Sequence, residues 1–279
     1  MREYMKKLLL CTVILFGLFN TPLYAEEENP QENTETETET EQAQTEQAEE
    51  KQEPIAPISG DFSTLRANAS SVTVDRAIDP LRIRLTDGRI VQLTGLEIPD
   101  LDAYDPGAIS AAEQMMVNEL LTGKDITLYQ TRTPDKGQTN RMGYVLAQVE
   151  GKDDGNWIQG ALIAQGLARA MPTSDNPDMA DQMFALEAKA RAEKKGLWAD
   201  EQYAVLTPDN AIDGLNKYAI VEGTVRGTAV MGNKVFLNFG YNWRTDFTIS
   251  IEPDVRKKFA RAGLNVVDLG RKTVRVRGW

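Results

Sequence analysis

Histidine is absent from the 279-residue chain, and the single cysteine, Cys11, lies in an apolar run near the start. These shortages exclude a Ser-His-Asp or Cys-His nucleophile, a zinc ion bound by imidazole, and a disulfide or thiolate site in the processed chain. Any hydrolytic chemistry would therefore depend on carboxylates, together with a cation that prefers oxygen ligands, such as Ca²⁺ or Mg²⁺.

The first 25 residues have the pattern of a secretory signal peptide. Lys6 and Lys7 precede an apolar run from Leu8 to Phe19, and the segment closes at Ala25. The run is about 12 residues long, shorter than the roughly 20 that a spanning helix needs, so we expect no transmembrane span in the mature chain. The sequence predicts a bacterial protein that is exported, periplasmic or secreted. An uncleaved membrane anchor is the alternative.

Residues 26–57 are predicted to be an acidic, disordered linker. Up to residue 53 the segment contains twelve Glu and one Lys, with almost no apolar side chain. Such a composition cannot bury enough surface to offset the entropy cost of becoming ordered. The twelve Glu and one Lys of this segment account for the overall net charge of −11, so the acidity of the chain is a property of this segment and not of the folded part.

Residues 71–200 have the pattern of an α+β, mainly β domain. Short β-rich runs predict strands, with Asp87-Gly88 as a hairpin turn, and longer apolar stripes predict helices. The predicted strands are 72–78, 81–85, 90–96, 126–129 and 144–149, and the predicted helices are 109–121, 157–167 and 179–195. Strands that come first, with helices laid against them, indicate a largely antiparallel sheet.

Four local sequences in this region, taken in order, resemble the staphylococcal nuclease (thermonuclease) family. They are Ala77-Ile78-Asp79, Leu96-Glu97-Ile98-Pro99-Asp100, the helical stretch 161–168, and Lys194-Lys195-Gly196-Leu197-Trp198. The resemblance implies a five-stranded oligonucleotide-binding (OB) type barrel with three helices. It also implies phosphodiester cleavage with one Ca²⁺ held by carboxylates, a Glu that activates water, and two arginines that bind the phosphate.

The acidic positions of that family are only partly kept in this chain. By the resemblance, Asp79 and Glu97 are the candidate metal ligands, and Glu97 and Asp100 are the candidate catalytic pair, with Asp and Glu exchanged in type. The main ligand position holds Leu81, which cannot coordinate a cation. Each exchange between Asp and Glu moves a carboxylate by about 1.5 Å, which is enough to harm a catalytic geometry.

The two arginine positions of the family correspond to Gln92 and Tyr144, neither of which carries a positive charge. Loss of one such arginine typically costs orders of magnitude in rate. We therefore expect a catalytically degenerate domain that needs no cofactor. The alternative is a Ca²⁺-dependent nuclease with a rearranged carboxylate site, formed by Asp79, Glu97 and Asp100 with Arg82 or Arg141 on the phosphate.

Residues 217–279 are predicted to be a second, basic domain. They contain twelve Lys or Arg and five Asp or Glu, so attraction to polyanions is expected here. Four alternating strands and a short helix over 255–263 predict a small OB-like barrel. Because such a barrel needs five strands to close, either its edge is open to a partner strand or the natural product is longer.

Aromatic and arginine side chains in this basic domain are the candidates for binding single-stranded nucleic acid, by base stacking and phosphate attraction. They are Trp243 and Arg244 in a predicted turn, and Arg275, Arg277 and Trp279, which are predicted to share the outer face of the last strand. A basic, solvated face with no ligand is an equal alternative. The sequence therefore predicts an exported protein with a nuclease-like fold that binds nucleic acid, or a protein partner in the envelope, without cleaving.

Overall fold

The computed structural model describes residues 56–99, 101, 107–133, 136–242 and 244–279. The predicted signal peptide, the predicted linker up to residue 55, Asp100 and Trp243 lie outside the described residues. Residues Pro57–Trp279 belong to one compact unit. Within the described part of the chain, no helix has the length and apolar character needed to cross a membrane.

Five strands close a barrel in the order β1-β2-β3-β6-β5. Four of the pairings are antiparallel, and β3 pairs with β6 in parallel. The strands are β1 (Arg66–Asp79), β2 (Arg82–Leu85), β3 (Ile90–Leu93), β5 (Asp125–Gln130) and β6 (Val145–Gly151). The α+β fold class and the five-stranded barrel are confirmed. The first strand begins six residues earlier than predicted, because its opening sequence has little apolar alternation to mark it.

Three helices accompany the barrel, as the sequence predicts: α1 (Ala108–Leu121), α2 (Ile158–Ala164) and α3 (Ala180–Ala192). Every residue of α2 from Ile158 to Ile163 is buried, so this helix fills the space between the barrel and α3. Its end is fixed by a close approach of two backbones, at Gly166 and Gly196. Both have positive φ, and a Cβ on Gly166 would lie 2.1 Å from a carbonyl oxygen, so neither position accepts a larger residue.

Two short strands outside the barrel form a separate antiparallel ladder that the sequence does not reveal. They are β4 (Leu96–Glu97) and β7 (Arg169–Ala170). The register places Glu97 opposite Arg169. This ladder brings the segment after β3 next to the segment after α2, and it sets the geometry of the site described below.

Five strands and one helix make up the C-terminal region. They are β8 (Ala219–Thr224), β9 (Gly227–Met231), β10 (Lys234–Asn238), β11 (Thr248–Ile251), α4 (Pro253–Arg261) and β12 (Thr273–Gly278). Among the described residues, these strands form two sheets, β11-β10-β9 and β12-β8. A single buried core joins both sheets to α4 through side chains such as Val225, Leu237 and Phe259.

The prediction of only four C-terminal strands is wrong. The missed strand, β9, has no buried position and contains Gly227 and Ala229, so its sequence lacks the alternation that marks a half-buried strand. It pairs with β10 over all five residues, from Lys234↔Met231 to Asn238↔Gly227. The second OB-like barrel stays a prediction.

Candidate functional site

The first carboxylate of the site, Glu97, is held in a buried ion pair. The Arg169 guanidinium donates to both of its carboxylate oxygens, at 2.5 and 2.9 Å, and each side chain is only 7% exposed. The same guanidinium lies over the rings of Tyr203 and Tyr218, at 5.6 and 4.9 Å from their centroids. Glu97 is therefore neutralised and positioned by groups of this chain.

The second predicted metal ligand, Asp79, is paired as well. Its Oδ1 accepts from the backbone N–H of Leu81 at 2.9 Å, which closes the turn between β1 and β2, and its Oδ2 accepts from Arg82. This hydrogen bond and the charge of Asp79 together hold the pKa of Arg82 above its ordinary value. The leucine at the main ligand position follows directly in the same turn.

The two positions where the resemblance implies phosphate-binding arginines are joined by a third polar residue. Asn140 Nδ2 donates to Gln92 Oε1 at 2.9 Å, and Asn140 Oδ1 accepts from the backbone N–H of Tyr144 at 3.0 Å. The Arg82 guanidinium lies 5.9 Å from the centroid of the Tyr144 ring. This guanidinium is already bound to Asp79. The other candidate, Arg141, is exposed to solvent.

A third carboxyl group lies near the other two and is unusual in its burial. Glu113 on α1 is 0% exposed, and neither of its carboxyl oxygens has a hydrogen-bond partner within the described structure. Burial, together with the charges of Glu97 and Asp79, raises the pKa of Glu113 from 4.5 to about 10. Glu113 is therefore neutral at physiological pH.

These donor atoms do not fit the Ca²⁺ ion that the resemblance implies. All four carboxylate oxygens of Asp79 and Glu97 accept hydrogen bonds from groups of this chain, and the nearby Glu113 is protonated. Consistent with this, no three acidic side chains in the described ranges are grouped so that they could hold a metal ion. A cation would have to displace two guanidinium groups before it reached an oxygen ligand.

The site opens into a cleft of about 680 Å³ that is walled on one side by the C-terminal region. Leu81, Glu97 and Pro99 line it from the barrel side, while Tyr218 and Trp279 line it from the other. The Trp279 ring packs edge-on against Tyr218 with centroids 6.2 Å apart, and it is 67% exposed. The position where the resemblance places a metal therefore faces aromatic side chains across the cleft.

The predicted nucleic-acid-binding residues differ in their burial and in their partners. The prediction that Arg277 shares the exposed face of β12 is wrong, because Arg277 is 7% exposed. It donates to both oxygens of Glu187 on α3, at 2.8 and 2.9 Å, and to the backbone carbonyl of Ala170 at 2.7 Å. Arg275 is partly exposed and forms an ion pair with Glu222.

Two further candidates are described. Arg244 is exposed in the loop between β10 and β11, and Trp279 lies at the cleft. Trp243 is outside the described residues. Of the four described candidates, Arg277 is thus buried, while Arg244, Arg275 and Trp279 are at least partly exposed.

Sequence reasoning finds Glu97 but misses Arg169 and Glu113, although the sequence carries a signal for both missed residues. Arg169 lies within Leu167-Ala168-Arg169-Ala170-Met171, and Glu97 lies within Leu96-Glu97-Ile98-Pro99. A charged residue inside each of two apolar runs predicts a buried ion pair, since an unpaired buried charge is very costly. Glu113 falls near the apolar stripe of its helix, which by the same reasoning predicts a buried acid.

One family model matches the chain, over residues 97–200; its description is "Staphylococcal nuclease homologue". The matched range begins at Glu97, covers all three helices beside the barrel and ends after the turn that follows α3. Comparison with curated proteins gives no match.

Proposed function

The chain contains a staphylococcal nuclease-like domain, and on this premise we propose that the protein binds nucleic acid without cleaving it. The domain acts as a scaffold, and binding is the task of the C-terminal region. Phosphodiester hydrolysis needs free metal ligands, a base that can ionise and positive donors for the phosphate. Among the described residues of the nuclease-like domain, Asp79 and Glu97 are paired with arginines and Glu113 is neutral, which supports the loss of this chemistry.

The observation that supports the loss of cleavage is the internal pairing of both described carboxylates. Arg169 binds Glu97 through two hydrogen bonds in a buried setting, and Arg82 binds Asp79. A guanidinium that neutralises a carboxylate removes the charge that would attract a dication. In both arginines the edge formed by Nε and Nη2 is turned to the carboxylate, so that edge is not available to bind a phosphate through two hydrogen bonds.

The charge distribution supports nucleic acid as the ligand. Residues 217–279 contain twelve basic and five acidic side chains, so phosphate groups are attracted to this part of the chain. A protein partner with an acidic surface would feel the same attraction. Base stacking distinguishes nucleic acid from an acidic protein as the ligand, since only nucleic acid offers planar bases to exposed aromatic side chains.

Export to the periplasm or the medium is part of the proposal. The basic start, the short apolar run and the small residue at position 25 support cleavage of a signal peptide after Ala25. The acidic segment that follows would then separate the folded part from the new N-terminus. Mass spectrometry of protein recovered from outside the cytoplasm should give a chain that begins at Glu26, whereas an intact chain starting at Met1 would contradict cleavage.

One experiment tests binding and cleavage together. The purified protein is titrated into a fluorescently labelled single-stranded oligonucleotide with Ca²⁺ present, anisotropy is recorded, and each sample is then run on a denaturing gel. We expect saturable binding that weakens as salt is raised, with the oligonucleotide intact. Absence of any binding at low salt would contradict the proposal, and the same oligonucleotide with chelator serves as the control.

A second candidate function, a Ca²⁺-dependent nuclease, is favoured by one observation. Glu113 is a third carboxyl group close enough to Glu97 and Asp79 for their charges to raise its pKa. If Ca²⁺ binds here, it would release protons and ionise Glu113, and the protein would melt at a higher temperature in Ca²⁺ than in chelator. Under the scaffold proposal, the two melting temperatures are equal.

A further inference from the structure

Three segments of the C-terminal region meet at one end of its two sheets. The turn between β8 and β9 is joined to the end of β10 by a hydrogen bond from the Arg226 N–H to the Asn238 carbonyl, at 2.8 Å. It is joined to the segment before β12 by two more, from the Arg271 N–H to the Val225 carbonyl at 2.8 Å and from the Val225 N–H to the Lys272 carbonyl at 2.9 Å. The backbone therefore brings Arg226, Arg271 and Lys272 together.

An exposed aromatic ring belongs to the same end of the sheets. Tyr241, three residues after β10, is 90% exposed. The Arg226 guanidinium lies 5.3 Å from its ring centroid and donates to its hydroxyl oxygen at 3.4 Å, which supports the ring in place. Arg226, Tyr241, Arg271 and Lys272 are called the C-terminal basic surface below.

The positive charge of this surface is not compensated. None of its three cations has an ion pair with a carboxylate of the described residues. Four other basic side chains of the region are paired: Lys234 with Glu252, Lys257 with Asp254, Arg275 with Glu222, and Arg277 with Glu187. Asp246, the acid of the adjoining loop, is used by that loop, since it accepts from the Asn242 N–H and the Thr245 hydroxyl. Lys217, Arg256, Lys258 and Arg261 likewise have no ion pair among the described residues, so what distinguishes this surface is the exposed ring of Tyr241 next to Arg226.

We propose that the C-terminal basic surface binds single-stranded nucleic acid, with a base stacked on Tyr241 and phosphates bound by Arg226, Arg271 and Lys272. This assignment rests on the proposed function and names its binding surface. An exposed ring flanked by uncompensated cations is the combination that binds single strands irrespective of sequence. A duplex does not offer an unstacked base, and an acidic protein surface would gain nothing from the exposed ring.

Two charge-matched triple variants test the cationic half of the surface. The first carries Arg226→Gln, Arg271→Asn and Lys272→Gln, with Asn at position 271 because φ there is 65° and Asn tolerates that conformation. The control carries Lys195→Gln, Lys234→Gln and Lys257→Gln, three lysines that are each in an ion pair. Affinity for a labelled oligothymidylate of about 12 nucleotides is measured against salt concentration. The log–log slope should fall by about 2 in the first variant, from roughly 0.7 per phosphate contact, and stay unchanged in the control.

Replacement of Tyr241 tests the stacking half. Tyr241→Ala should weaken binding by about tenfold, whereas Tyr241→Phe, which keeps the ring, should bind as the parent does. Circular dichroism and thermal melting confirm that each variant is folded. Equal binding by Tyr241→Ala and Tyr241→Phe, or equal slopes for the two triple variants, would overturn the assignment.

The failure of this assignment differs from failure of the proposed function. If the unmodified protein binds no oligonucleotide at low salt, the proposed function fails and the surface with it. If the protein binds and the surface variants bind equally well, only the surface is wrong. If polyglutamate competes as effectively as the oligonucleotide at equal charge, an acidic protein is the better ligand and the assignment to nucleic acid is overturned.

Discussion

Arg169 and Glu97 lie 72 positions apart in the chain, and their side chains meet in a buried ion pair joined by two hydrogen bonds. The pair occupies the place where the resemblance to nucleases puts a metal ligand. It therefore links the stability of the domain to the proposed loss of cleavage, and it can be tested on both counts.

Breaking this pair from one side should destabilise the protein strongly. Arg169→Met leaves Glu97 buried without its cation, and we expect a loss of about 3 kcal/mol or more in the free energy of unfolding. The double variant Arg169→Met/Glu97→Leu removes both charges and should recover most of that loss. Urea denaturation of the two single variants and the double variant measures the coupling. A single-variant loss below about 1 kcal/mol would mean that the pair is in effect solvated.

Glu113 should make stability depend on pH. Its pKa is raised to about 10 in the folded state from 4.5, so the folded state holds a proton that the unfolded state releases above about pH 4.5. The stabilising contribution of Glu113 to the free energy of unfolding is therefore fully present below about pH 4.5, and it is lost as pH rises toward 10. We expect Glu113→Gln to remove this dependence and to stabilise the protein by about 3 kcal/mol at pH 7, from 1.36 kcal/mol per pH unit.

The matched control for this prediction lies on the same helix. Glu119 on α1 is exposed, so Glu119→Gln should leave both the stability and its pH dependence unchanged. Unfolding by urea at several values between pH 5 and 9 provides the measurement. Parallel pH profiles for the Glu113→Gln variant and the parent would show that Glu113 is ionised in the folded protein.

Of the two arginines on β12, Arg277 should contribute strongly to the stability of the protein and Arg275 should contribute little. Arg277→Met leaves the buried Glu187 with the Ala170 N–H at 2.8 Å and the more distant Arg191 at 3.5 Å, and should cost about 3 kcal/mol. Arg275→Met breaks a half-exposed pair with Glu222 and should cost less than about 1 kcal/mol. Thermal and urea unfolding of the two variants give the comparison. Equal losses would contradict the buried contact between β12 and α3.

The barrel and its three helices can be predicted from the sequence, because apolar alternation and helical stripes are local signals. The β4–β7 ladder cannot, since two strands of two residues each carry no periodic pattern. The pairing of Glu97 with Arg169 depends on that ladder. The sequence therefore indicates that each of these charged residues is buried, but it does not indicate which residue is its partner. The resemblance supplied Asp79 and Glu97 as site residues, and the structure adds which cations they bind.

The error at Arg277 has a definite physical cause. Alternation along β12 correctly predicts that Val274 and Val276 are buried, and it therefore places Arg277 on the opposite face. That face is exposed at Arg275, but at Arg277 it is covered by α3, which supplies Glu187 as a partner and Phe184 as a packing surface, 4.5 Å from the guanidinium to the ring centroid. The alternation of apolar and polar residues along a strand predicts on which face of the sheet a side chain lies, but it does not predict which other element covers that face.

The most direct test of the central claim, that internal arginines have replaced metal and phosphate at this site, is a cleavage time course. Single-stranded DNA and RNA are incubated with the purified protein in Ca²⁺ and, separately, in chelator. The account predicts intact nucleic acid in both, with no difference between the two. Cleavage that requires Ca²⁺ and is abolished by Glu97→Gln or Asp100→Ala would contradict it.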